Sequence, residues 1–137
     1  MSFCNAKSSA KYCHDTYSVQ CSRCLNVKDS AHVNPWIEVD LAERTVVSGV
    51  TTQGCRLMWE YTTQYKVAYK KQPQCDFDYV RDASGEIELF TGNTDGAGQV
   101  SNMFPESVIA TVLRIELTAL GNEMYCLRME LLGCRLE

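Results

Sequence analysis

The stretch "YCLRMELLGC", residues 125–134, decides the fold. Leu, Arg, Met and Glu favour helix by intrinsic propensity. Their order opposes it: Leu127, Met129 and Leu131 alternate with Arg128 and Glu130. In a strand that order puts the three apolar side chains on one face. In a helix Met129 would lie opposite Leu127 and Leu131, and no apolar stripe would form. The stretch therefore reads as a strand with one face buried.

The same period recurs upstream. "WIEVDL" (36–41) and "ATVLRIELTAL" (110–120) alternate, as does "EIELF" (86–90). "TVVSGVTTQ" (45–53) is rich in β-branched residues, and "YTTQYKVAYK" (61–70) puts Tyr65, Val67 and Tyr69 on one face. Between the runs lie turn residues, most plainly "GNTDGAG" at 92–98. No long helical pattern intervenes, so no parallel βαβ sheet is expected. The prediction is an all-β antiparallel jelly-roll, a sandwich or barrel with loops gathered at its ends. Residues 1–35 differ from the rest: they are polar, rich in Cys, Ser and Lys, and weakly periodic.

The chain has 137 residues, 45% of them hydrophobic and 22% charged. That length and balance suit one globular domain with a hydrophobic core. No apolar run approaches the roughly 20 residues that a membrane-spanning helix needs. The formal net charge is −4, which argues against general nucleic-acid binding. The catalytic inventory is thin: His14 and His32 both fall in the irregular segment, and no phosphate loop, HExxH or Gly-x-Ser-x-Gly motif occurs. The chain reads as a non-enzyme.

Eight cysteines stand at 4, 13, 21, 24, 55, 75, 126 and 134. An even count in a small domain points to disulfides and an oxidising compartment. Zinc is the rival reading, but Cys21 and Cys24 form a lone CxxC with no second one to complete a site. The expected location is secreted or on the extracellular face of the cell surface. Met1 and the closing "LE" (136–137) look like cloning additions, so the lack of a leader says nothing against secretion.

Six segments carry a resemblance when taken in order: "PWIEVDL", "VSGVTTQG", "YTTQYKVAY", "FTGNTDG", "VLRIEL" and "CLRMELLGC". Together they resemble the discoidin domain, also called the coagulation factor 5/8 C-terminal type domain, over about residues 36–134. The resemblance implies an eight-stranded jelly-roll with ligand-binding loops, or spikes, at one end. Family ligands include phosphatidylserine membranes, collagen, glycans and protein tails. Residues 1–35 match poorly and read as remodelled, Cys-rich N-terminal loops of a single domain spanning 1–137.

The resemblance also implies pairings. The family's terminal clamp would join Cys4 to Cys134. Cys24 and Cys126 stand where discoidin-domain collagen receptors carry a second bridge. Cys13, Cys21, Cys55 and Cys75 remain, with three possible pairings; Cys13–Cys21 with Cys55–Cys75 is the working choice. Asp40 and Arg114 occupy family strand positions, either as a structural ion pair or solvated face, or with Asp40 in ligand recognition. Glu130 is similar to a calcium-ligand Glu of some glycan-binding relatives. No cofactor is expected, and Glu130 is the calcium candidate. Asn93 and Asp95 are expected to cap a turn through side-chain-to-backbone bonds.

Aligned to the family, Tyr61 opens a strand, and the residues before it form a spike. That segment, "CRLMWE" (55–60), is apolar where turns are usually polar. Leu57, Met58 and Trp59 either fold back to cap the barrel or stand exposed beside Arg56 as a contact site. The expected function is a recognition or adhesion module using Arg56, Leu57, Met58 and Trp59, with His32 and Asp40 as further candidates. The expected partner is an anionic phospholipid, a glycan or a matrix protein, with peripheral membrane contact and no nucleic acid. The alternative is a purely structural domain of a larger extracellular protein.

Overall fold

The computed structural model describes the backbone of residues 2–5, 20–26, 36–54, 60–121 and 124–136, and the side chains of 36–54, 60–121 and 127–136. Among these residues there are eight strands and no helix. They are β1 (Ser2–Asn5), β2 (Gln20–Asn26), β3 (Trp36–Gln53), β4 (Thr62–Lys70), β5 (Asp78–Tyr79), β6 (Phe90–Thr91), β7 (Val100–Leu120) and β8 (Met124–Arg135). The order across the sheet is β2-β8-β3-β7-β4-β5, with β1 joined to β3 and β6 to β4. Every pairing is antiparallel except β1 with β3.

The period-two reading of 125–134 holds: Leu127, Met129 and Leu131 are buried, while Arg128 and Glu130 are half-exposed. The inner faces of the long strands meet in one core. Ile37, Val39 and Leu41 come from β3, Tyr65 and Val67 from β4, and Leu113, Ile115 and Leu117 from β7. Each such side chain contributes about 1.5–3 kcal/mol by leaving water. Gly133 is required by close packing: a Cβ there would collide with the backbone carbonyl of Val46.

β3 and β7 form the frame. Their ladder breaks twice, between the Asp40 and Thr45 pairs and between the Val47 and Gly49 pairs. At the first break 41–44 loop out, and Ala42 takes a positive φ of 64°. At the second, Pro105 sits where no ladder donor is needed. Bulges bend a strand pair and increase its twist. The bent pair folds over, so both of its ends return to the same pole of the barrel. Gly54, just past β3, lies against Tyr61 and Gly96, and the Gly121 amide bonds to the Tyr61 carbonyl at 3.0 Å. The fold-over itself, with 41–44 and 105–107, forms the opposite pole.

A charged lattice covers the outer face of β3, β7 and β4. The Arg114 guanidinium lies 4.3 Å from the Trp36 ring centroid and 4.0 Å from that of Phe77. Its Nε donates to Glu38 Oε1 at 2.9 Å. Tyr79 donates its hydroxyl to Glu116 at 2.7 Å, and Lys66 sits 3.6 Å from the same carboxylate. The expected Asp40–Arg114 pair is thus corrected: Arg114 takes Glu38, two residues nearer the start of β3 and in register with it.

Candidate ligand-binding end of the barrel

The loops expected to bind ligand gather where β3 ends and β4 begins. The proposed contact residues Arg56, Leu57, Met58 and Trp59 lie outside the described residues, as does His32. The floor beneath that loop is described, and it is a tight polar knot. Arg128 faces outward from β8, opposite Gln53 of β3. Its Nε donates to the Gly54 carbonyl at 2.7 Å and its Nη2 to the Gly96 carbonyl at 3.3 Å. One guanidinium therefore fastens the base of the 55–60 loop to the 92–98 loop. Gln53 adds a second tie, donating from Nε2 to the Ala97 carbonyl at 2.8 Å.

The 92–98 loop is shaped from within. Asp95 Oδ1 accepts from the Gly98 amide at 2.6 Å and from the Ala97 amide at 3.1 Å, which is the turn cap expected of it. Asn93 has a larger role than capping. It is 1% exposed, and its Nδ2 donates to the Thr52 and Gly98 carbonyls, both at 2.9 Å. Its own amide bonds to the Thr62 carbonyl at 2.8 Å. Asn93 thus joins β3, β4 and the loop. Its Oδ1 and the Thr52 hydroxyl are buried with no partner among the described residues. A short distance along, Asn102 Nδ2 donates to the Tyr65 hydroxyl at 3.0 Å and to the Thr91 carbonyl at 2.9 Å. Burial pushes the Tyr65 hydroxyl well above the usual tyrosine range, and the Asn102 bond only partly offsets this.

Other expected site residues fall elsewhere. Asp40 stands at the fold-over pole, where its Oδ1 accepts from the Ala42 amide at 2.8 Å and shapes the bulge. It does not join the loop end, because β3 runs from Asp40 through the bend before reaching Gln53. Glu130 is half-exposed on β8 opposite Thr51. Among the described residues no group of three or more His, Cys, Asp or Glu is placed to hold a metal ion.

For the cysteines, the β2–β8 register sets Cys24 directly opposite Cys126. Cys134 is buried opposite Val46, and Cys4 pairs with Val39, so β1 and β8 flank the same strand. Cys75 is exposed in the segment that follows β4. Cys13 and Cys55 lie outside the described residues, and with them the working choice of Cys13–Cys21 and Cys55–Cys75.

A family model described as the F5/8 type C domain matches residues 10–131. The match reaches well into the N-terminal segment, which the six sequence motifs did not. The chain is 36% identical over 108 residues to coagulation factor V of Mus musculus, covering 77% of this chain and 5% of that protein. It is 35% identical over 100 residues to retinoschisin of Mus musculus, covering 72% of this chain and 44% of that protein. The chain thus spans less than half the length of either relative. In fold it is similar to discoidin II of Dictyostelium discoideum, with a TM-score of 0.68 at 17% identity over 88% of this chain and 59% of that one.

Proposed function

Because the chain belongs to the F5/8 type C domain family, we propose that it is a non-enzymatic extracellular recognition module that binds a cell-surface or matrix ligand at the loop end of its barrel. The ligand classes are an anionic phospholipid, a glycan or a matrix protein. Domains of this family bind ligands such as carbohydrate or phospholipid. The observation that carries the reading here is the polar knot. Arg128, Gln53 and Asn93 hold the bases of two loops in fixed relation. A fixed base reduces the ordering entropy that loops otherwise lose on binding. On that base the sequence sets Leu57, Met58 and Trp59 beside Arg56. Trp combines a large apolar face with one donor and serves both membrane interfaces and protein hot spots. Arg56 suits a lipid phosphate, a glycan carboxylate or an acidic side chain. The eight cysteines support an oxidising compartment.

The test is a binding screen with Trp59→Ala. The probes are vesicles with and without phosphatidylserine, an array of glycans, and immobilised collagen. Inserting one large apolar side chain is worth about 1.5–3 kcal/mol, so the substitution weakens binding about ten- to a hundredfold. Thermal stability stays near that of the parent. Arg56→Ala weakens binding less, and mainly at low salt. A Trp59→Ala protein that binds normally but loses the 3–5 kcal/mol or so typical of a buried aromatic would identify Trp59 as a barrel cap. The failure of all three probe classes would favour a structural module.

A further inference from the structure

β7 has an open edge at the pole opposite the loops. Its residues 112–116 lie between β3 and β4. On the β4 side that ladder ends at the Lys70–Val112 pair. Thr111 closes it, its hydroxyl donating to the Lys70 carbonyl at 3.3 Å. Beyond Lys70 the chain turns away, with the Cys75 amide bonded to the Gln72 carbonyl at 3.0 Å. β7 runs on past that point. Val108, Ile109 and Ala110 keep β3 as a partner, through Val47, Val46 and Thr45. Their other side meets no strand among the described residues. A strand aims the N–H and C=O groups of alternate residues to its two sides. Along 107–110, alternate residues therefore present both groups to the open side, and among the described residues no bond claims them.

A cavity of about 860 Å³ adjoins this edge. Ser107, Val108 and Ile109 line it together with Tyr69, Lys71 and Gln72. Val108 and Tyr69 are half-exposed there and pack against the core behind. The charge around the cavity is balanced: Arg44, Lys71 and Arg81 stand against Asp78, Asp82 and Glu106. Ionic attraction favours neither sign of ligand. The unclaimed groups are main-chain donors and acceptors, and their complement is another main chain.

We infer that this edge binds an extended peptide segment of a partner protein by strand addition. The guest strand lies about 4.8 Å from β7, in the line that β4 leaves at Lys70. Its backbone pairs with 107–110. One apolar side chain of the guest turns inward onto Val108 and Tyr69, and the polar side chains before and after it turn to water. Open edges invite uncontrolled sheet growth, which short length and proline restrain. Here Pro105 precedes the edge and 107–110 alone are open, so the site takes one short segment and not a stacked sheet. It stands apart from the loop end and does not depend on it.

The probe is a library of random linear heptapeptides displayed on phage and selected on the immobilised protein. Selected peptides are synthesised; calorimetry gives affinity, and backbone NMR gives location. The expected peptides alternate polar and apolar residues, and their binding shifts the amides of 107–110 and slows their exchange. Methylating the peptide's backbone nitrogens one at a time weakens binding about tenfold or more at alternate positions, because alternate amides face β7. Val108→Lys sets a charge on the apolar wall and weakens binding as much, while Val108→Thr keeps the shape and retains it. Thermal melting is read on each variant. Should Val108→Lys melt early, Ser107→Pro decides instead: the position is exposed and has no β3 partner, and proline blocks an edge. Trp59→Ala leaves peptide binding intact, which separates this site from the loop end. Five results would each overturn the assignment: no peptide selected, binding that survives the blocking variant, shifts confined to the loop end, full tolerance of methylation at every nitrogen, or a dimer in sedimentation that the blocking variant abolishes, which would make a second copy of the chain the occupant.

Discussion

Arg128→Ala tests whether the loop end is a preorganised base. The substitution removes a 2.7 Å bond to the Gly54 carbonyl and a longer 3.3 Å bond to the Gly96 carbonyl. A hydrogen bond to a charged group contributes about 1.5–3 kcal/mol net. The longer bond lies beyond the usual 2.7–3.2 Å or so and adds little. Gly54 is buried, so its carbonyl cannot simply turn to water. The expected loss is about 2–3 kcal/mol. For a chain of this length each kcal/mol shifts Tm by about 3–4 °C, so the melting point falls by about 6–12 °C on that scale. The loss is also local. The Ala97 and Gly98 amides, held by Asp95, should exchange with deuterium faster by more than the global destabilisation explains. Arg128→Lys should fall between, since a single ammonium cannot reach both carbonyls as the planar fork does. Calorimetric melting with amide exchange reads both effects. An unchanged Tm, or exchange at Ala97 and Gly98 that merely follows global unfolding, would refute Arg128 as the fastener of the two loops.

Two further outcomes follow from the geometry. Non-reducing peptide mapping should recover a Cys24–Cys126 linkage, since the register sets those residues opposite each other; free thiols at both positions would contradict it. Asp82 is held below the usual carboxylate range, first by the Ser84 hydroxyl and then by the backbone amides of the turn. Its folded value is lowered, so its contribution is full above the unfolded value of about 4 and is lost as pH falls through the folded value. Carboxyl NMR should show Asp82 titrating below an ordinary aspartate, with Ser84→Ala raising it; an ordinary titration would mean the 82–86 turn does not hold the charge.

Much of the fold is written in period-two alternation because one face of each strand is buried. Leu127, Met129 and Leu131 show it most plainly, and so do Leu113, Ile115 and Leu117. The extents of the strands are less legible. "WIEVDL" and "TVVSGVTTQ" look like separate runs, yet both belong to β3, which passes through the 41–44 bulge. β7 begins at Val100, although "VSNMFPES" contains a proline and reads poorly as strand. Bulges break the alternation while the ladder continues on either side. β5 and β6 have two residues each, and the alternation of "EIELF" misleads: only its Phe90 lies in one of these strands, while Ile87 and Leu89 are exposed.

The loop end hides its key residues for a different reason. Arg128 and Asn93 form bonds that span 74 and 41 positions, to backbone carbonyls that leave no mark in the sequence. By alternation alone Arg128 is merely the outward neighbour of Leu127. The bent β3–β7 pair also decides which candidates can act together. Asp40 is in register with Val112, which pairs with Lys70 at the far end of β4, whereas Gln53 pairs with Arg128 under the loops. The Gly54 and Gly96 carbonyls under the loops and Asp40 thus lie at opposite ends of the barrel. The two ends are therefore separable by mutation: Arg128→Ala should weaken what binds above Gly54 and Gly96, and Asp40→Ala should leave it intact. If Asp40→Ala abolished that binding, the barrel would be coupling its ends, and the rigid core of Ile37, Tyr65, Ile115 and their neighbours could not be the passive divider that its packing implies.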